Sequence, residues 1–158
     1  QLLLKSQIFF APAMMEAARA RLKRLGFDLT CVLLEPATTD YMERYLDVDI
    51  ALDTYPWPGG GTTCDALYMG VPVVTLYGTR RSTRFSYALL SRVGLQDLAV
   101  QTPMDYVTRA VSLTGDMDAL DDMHRALRAR MERSPIMDQE GYMRALEQAY
   151  EAAMKGKK

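Results

Sequence analysis

Five short apolar runs punctuate this chain, and a helix-forming stretch or a glycine-rich turn follows each of them. Leu2–Lys5, Leu29–Leu34, Val48–Leu52, Val71–Leu76 and Leu98–Val100 are rich in β-branched and leucine residues and lack polar alternation. Strands of that kind are buried on both faces, as in a parallel sheet covered by helices. Ile8–Phe10 is a further short apolar run. Helices are expected over 13–25, 40–47, from Thr62 or Thr63 to Gly70, and over 83–92. The caps are Thr38 or Thr39 for the second, and Gly26, Gly70 and Gly94 stop the others. From Pro103 onward the pattern is helical, with breaks at Gly115 and Ser134-Pro135. Its last helix, 138–154, carries a stripe of Tyr142, Leu146, Ala149 and Ala153. The expected fold is α/β: a doubly wound, Rossmann-like parallel sheet in a single domain over 1–158, with 103–158 as its C-terminal helical part.

The 158 residues fit one domain, and 49% of them are hydrophobic. A formal charge of −1 removes the electrostatic case for a general nucleic-acid binder. No apolar stretch is long enough to span a membrane. The chain opens on Gln1-Leu2-Leu3-Leu4-Lys5 without an initiator Met, which reads as a buried strand cut from a larger protein. Cys31 and Cys64 suit two free, largely buried thiols in a reducing cytoplasm. With one histidine, His124, in a charged helical stretch, neither a metal site nor a Ser-His-Asp triad is expected.

In a doubly wound fold, ligands bind outside the carboxyl ends of the strands. The loops at 35–40, 53–63 and 77–83 are therefore the places to look. Pro56, Pro58 and Gly59-Gly60-Gly61 precede Thr62, Thr63 and Asp65 at a helix start. Glycines let a ligand approach the backbone, and a helix N-terminus with two hydroxyls favours phosphate. Neither a Walker A loop nor a GxGxxG fingerprint is present. Spacing alone equally allows a tight turn with Thr62 as a simple cap. Asp65 is either a ribose acceptor or a partner of the helix dipole. Residues 66–96 contain no acid but include Arg80, Arg81, Arg84 and Arg92. Arg80 and Arg81 suit an anion, or else form a solvated face; Arg84 buttresses the loop, and Arg92 reads as solvated.

Val48 to Pro56, Gly59 to Leu76, and Gly78 with Ser82-Thr83-Arg84 closely resemble the O-linked N-acetylglucosamine transferase family, including its bacterial and SPINDLY-type members. The resemblance extends over essentially the whole chain and is densest over 48–94. It implies the C-terminal lobe of a GT-B glycosyltransferase, and an inverting transfer of N-acetylglucosamine from UDP to a protein hydroxyl. Position by position, Gly61 and Thr62 would hold the distal phosphate, Thr63 would support them, and Asp65 would bind the ribose. Pro36, Ala37 and Thr38 would line the base, and Tyr41 stands where the animal enzyme has a stacking His. Gly60 and Arg81 occupy positions where relatives carry His. Trp57-Pro58 replaces the residues usual before the glycines.

The family's Gln and Lys near the pyrophosphate would precede Gln1. No catalytic residue, metal or cofactor is thus expected here, only the nucleotide sugar as substrate. The implied partners are a protein acceptor, an N-terminal GT-B domain and helical repeats, with neither nucleic acid nor membrane. A non-catalytic nucleotide-binding or protein-interaction module of the same fold is the alternative.

Overall fold

The structure is a computed structural model, and it describes residues 1–156. The chain forms two compact units, Gln1–Arg44 and the remainder from Tyr45.

The first unit contains strand β1 (Leu2–Ser6), helix α1 (Pro12–Arg24) and strand β2 (Val32–Pro36). β1 and β2 are parallel, with Leu2 opposite Val32 and Ser6 opposite Pro36. Parallel neighbours need a crossover, and α1 supplies it. Pro12 opens α1, where its missing N–H costs nothing, and Arg21, Lys23 and Arg24 in the last turn complement the helix dipole. Met15, Ala18 and Leu22 of α1 pack with Phe9, Val32 and Leu34.

One local expectation fails here because short polar side chains compete for backbone N–H groups. Leu29–Cys31 is a 3-10 turn, because Asp28 accepts from the Thr30 backbone N–H at 2.9 Å and from its hydroxyl at 2.7 Å. The strand therefore starts at Val32. Ile8–Phe10 likewise lies in a 3-10 turn, Gln7–Phe10, capped by Ser6. The helix expected over 40–47 is reduced to a 3-10 turn, Glu43–Asp47. None of its residues is buried, unlike those of the equally short helices that follow, and so short a helix is marginal without such burial.

The second unit contains strand β3 (Ala51–Leu52), helix α2 (Gly61–Tyr68), strand β4 (Val73–Leu76), helix α3 (Phe85–Arg92) and strand β5 (Ala99–Val100). Helices α4 (Pro103–Leu113), α5 (Met117–Glu132) and α6 (Gln139–Lys155) follow. The sheet order is β3-β4-β5, all parallel, with Leu52 opposite Val74 and Leu76 opposite Val100. The central strand β4 is buried on both faces, which accounts for its unbroken apolar sequence. Its core joins Ala66 and Leu67 of α2, Val71, Val73, Leu90, Val93, Leu95 and Leu98 to Leu127 and Met131 of α5.

β4 starts at Val73 rather than Val71, because the Val71 N–H is spent on closing α2: it donates to the Ala66 carbonyl at 2.8 Å. Gly70 makes that stop in the left-handed region at φ +88, with the His124 carbonyl 2.8 Å from where a β-carbon would sit. Thr102, Asp116 and Asp138 cap α4, α5 and α6 through side-chain oxygens. No residue of α6 is buried, so its stripe faces solvent at Tyr142. No helix among the described residues is long and apolar enough to cross a membrane.

Candidate functional site

The loop between β3 and α2 is held by Asp53, at the carboxyl end of β3. Asp53 Oδ1 accepts from the Gly59 N–H at 2.7 Å and from the Thr54 N–H at 3.0 Å. Its Oδ2 accepts from the buried Thr75 hydroxyl at 2.6 Å. The Tyr106 hydroxyl donates to the Asp53 carbonyl at 2.9 Å, and burial, with the Asp53 charge beside it, pushes the phenol up to about 12. This clamp was not foreseen from the sequence. The available signal was an Asp ending a strand before a Pro/Gly loop, the residue type that turns use to bind their own backbone.

The three glycines differ in kind. A β-carbon on Gly59 would sit 2.5 Å from Thr63 Oγ1 and 2.6 Å from Thr62 Oγ1, so packing forbids a side chain there. At Gly60 and Gly61 a β-carbon would meet open space. Their smallness is therefore not required by the protein's own packing.

Helix α2 begins at Gly61 and Gly60 is its N-cap, so neither threonine is the cap. No side chain caps this end. The first helical bond runs from the Cys64 N–H to the Gly60 carbonyl at 3.1 Å. The N–H groups of Gly61, Thr62 and Thr63 precede it and lie outside the helical ladder. Thr62 is exposed and Thr63 buried. The Ser86 hydroxyl donates to the Gly59 carbonyl at 2.9 Å, so the Thr63 hydroxyl donates to Ser86 Oγ, also at 2.9 Å. Thr63 thus ties the cradle to α3 and keeps its hydroxyl inside. Because the helix opens at Gly61, Asp65 sits one turn in rather than in the first turn, half-buried.

Arg81 is exposed in a 3-10 turn, Arg81–Thr83. Thr83 pins that turn by donating to the Arg80 carbonyl at 2.8 Å and accepting the Gly78 N–H at 3.1 Å. Arg84 lies over the stacked rings of Tyr77 and Tyr87, 5.8 and 5.2 Å from their centroids. A cleft of about 390 Å³ opens between Tyr55, Pro56 and Trp57 on one side and Thr79, Arg80, Ser82 and Thr83 on the other.

Pro36, Ala37, Thr38 and Tyr41 belong to the first unit, whereas Gly60, Gly61, Thr62, Thr63, Asp65 and Arg81 belong to the second. Pro36 ends β2. Just before it, Glu35 accepts from Arg44 through two bonds, at 2.8 and 3.0 Å, with Lys5 Nζ 3.6 Å away. Those bonds from Arg44 hold the Glu35 carboxyl below the usual range. Thr38 is engaged with Asp40, whose carboxyl its hydroxyl holds down in the same way.

His124 hydrogen-bonds the Asp49 carbonyl through Nε2 at 2.9 Å, so the ring serves to join α5 to the strand edge. Among the described residues no group of three or more His, Cys, Asp or Glu could hold a metal. Both thiols are free, but Cys31 is exposed, contrary to the expectation of burial, because its turn projects it outward before β2 begins.

Residues 9–146 match the model of glycosyl transferase family 41. A protein of Hordeum vulgare named as a probable UDP-N-acetylglucosamine–peptide N-acetylglucosaminyltransferase SPINDLY is 37% identical over 95% of this chain and 16% of its own length. Its Arabidopsis thaliana counterpart is 35% identical over 95% of this chain and 17% of its own. Among solved structures, a K341M mutant of Thermobaculum terrenum O-GlcNAc transferase matches with a TM-score of 0.87 and 34% identity. That match covers 95% of this chain and 29% of the solved one. The chain therefore spans about a sixth of these plant relatives, and its α/β fold is the one expected of a GT-B lobe.

Proposed function

The chain belongs to glycosyl transferase family 41, and from that premise we propose that it is the donor-binding lobe of an inverting enzyme. The donor is a nucleoside diphosphate sugar, UDP-N-acetylglucosamine as in the names of the plant relatives, and the acceptor a peptide hydroxyl. Residues 1–158 act as one nucleotide-sugar lobe, with 103–158 as its helical part; the last two residues lie outside the described ones.

One observation carries this reading. The N-terminus of α2 has no side-chain cap and is fronted by two glycines whose β-positions open to space. Free N–H groups at a helix start, with the dipole behind them, favour an anion. Gly60, Gly61 and Thr62 hold the distal phosphate, and Thr63 supports them through Ser86. Asp65 takes the ribose. Pro36, Ala37 and Thr38 line the base, and Tyr41 stacks on it. Arg81 adds positive charge near the leaving diphosphate.

As the glycosidic bond breaks, negative charge develops on the departing diphosphate oxygen. Preorganised N–H dipoles, the Thr62 hydroxyl and a guanidinium stabilise that charge more than they stabilise the ground state. No side chain of the described site stands out as a base for the acceptor proton. That step belongs to other parts of the enzyme, an N-terminal GT-B domain joined to helical repeats. The setting proposed is cytoplasmic, in keeping with two free thiols. No cofactor is assigned, and neither nucleic acid nor membrane is a partner.

Calorimetric titration with UDP and GDP tests the reading. UDP is expected to bind, and Thr62→Ala or Asp65→Asn to weaken binding about tenfold, the worth of one charge-assisted hydrogen bond. Turnover of UDP-N-acetylglucosamine by the chain alone would contradict the division of labour.

A further inference from the structure

Beside the phosphate cradle lies a feature that donor binding does not absorb. The cleft between Tyr55–Trp57 and Thr79–Thr83 shares no lining residue with Gly60, Gly61 or Thr62. Its walls combine two aromatic rings, the hydroxyls of Thr79 and Ser82, and one cation, Arg80. Trp57 is 75% exposed, an unusual position for so large an apolar surface.

The electrostatics of the cleft are one-sided. No acidic residue occurs between Asp65 and Asp97, while Arg80, Arg81, Arg84 and Arg92 all fall in that interval. Arg84 is occupied by the Tyr77–Tyr87 stack. Neither Arg80 nor Arg81 enters an ion pair among the described residues. Asp53, the one acid of the opposing 53–63 loop, directs its carboxylate to Gly59, Thr54 and Thr75 and forms no ion pair with Arg80. The cation in this cleft therefore has no salt-bridge partner among the described residues; a neutral sugar would not supply one, and the diphosphate proposed above sits at residues that do not line the cleft. A carboxylate supplies one, and Arg presents it a bidentate fork. An exposed indole beside the cation adds a surface on which a peptide backbone or apolar side chain packs.

We propose that this cleft is a docking subsite for an acidic peptide segment, with Arg80 pairing its carboxylate and Trp57 packing against its backbone. That the segment belongs to the acceptor rests on the donor-binding reading above. The site itself rests on the charge and shape of the cleft.

The chain contains a single tryptophan, so its indole fluorescence reports from this cleft alone. The test titrates the chain with a serine-centred peptide rich in Asp and Glu, and with its Asn/Gln counterpart. The acidic peptide is expected to shift Trp57 emission saturably, with the amide peptide about tenfold weaker, as for loss of one charge-assisted contact. Arg80→Ala is expected to narrow that preference and Arg80→Glu to reverse it, with thermal midpoints unchanged because Arg80 is exposed and unpaired. Equal response to both peptides, or no response to either, overturns the proposal. So does a shift caused by N-acetylglucosamine in place of the peptide, which would make the cleft a sugar pocket. UDP calorimetry on the same samples separates the two ideas. If UDP fails to bind while the acidic peptide binds and Arg80→Glu reverses its preference, the donor reading falls and the cleft stands. If Arg80→Ala loses UDP affinity and keeps the peptide preference, Arg80 is a phosphate ligand and the proposal falls.

Discussion

Single residues divide the glycine loop into parts that serve the fold and parts that face outward. Asp53 serves the fold: one carboxylate satisfies two backbone N–H groups and a buried hydroxyl. Asp53→Ala would leave the Thr75 hydroxyl and the Gly59 N–H without that partner. Urea unfolding is expected to show a loss of about 2–4 kcal/mol, the penalty for stranded buried polar groups. Asp53→Asn keeps one acceptor and its Nδ2 can donate to Thr75, so its loss should be less than half as large. Residue types placed the glycines before a helix start but left two readings of Thr62 open, and the structure removes one of them, since Gly60 and not Thr62 is the cap. The Asp53 clamp and the Ser86 bridge were not legible in the sequence. The Asp53 bonds to Thr54 and Gly59 are local, but its bond to Thr75 and both bonds of Ser86 span 22 or more residues, a pairing no local pattern encodes.

At the scale of elements, the strand–helix alternation was readable because burial on both faces leaves an unbroken apolar run, as in β4. Boundaries were less so. Asp28 turned the start of a strand into a 3-10 turn, and the closing bond of α2 took Val71 out of β4. The α2 stop also joins two elements. Gly70→Ala would force a β-carbon into the left-handed region and against the His124 carbonyl of α5. A loss above about 2 kcal/mol is expected in thermal or urea unfolding, because both elements would have to shift.

Helix α4 gives a pH prediction. Its Tyr106 has an ordinary value near 10.0 in the unfolded chain and about 12 in the folded one. Above pH 10 the unfolded state releases this proton more readily, so stability is full below that pH and falls as pH rises toward 12. The melting temperature of Tyr106→Phe should therefore decline less steeply between pH 10 and 12 than that of the unsubstituted chain. At neutral pH the variant is expected to lose about 1 kcal/mol, the worth of the hydrogen bond to the Asp53 carbonyl.

For the molecule as a whole, two compact units each bring a parallel sheet end and its loop, the first with Pro36 to Tyr41 and the second with the glycine cradle. The diphosphate site proposed at Gly60–Thr62 is supported by an N-terminus of α2 that no side chain caps, in a chain of glycosyl transferase family 41. The most direct test is Gly61→Ala, titrated calorimetrically with UDP alongside the unsubstituted chain, with unfolding measured on both. A β-carbon there meets no protein atom within 4 Å, and alanine is the better helix former. Stability should thus be unchanged or rise by up to about 1 kcal/mol. UDP affinity should nevertheless fall by about tenfold or more, because the added methyl would occupy the space proposed for the phosphate. Equal UDP affinity in the two proteins, at equal stability, would contradict the phosphate cradle.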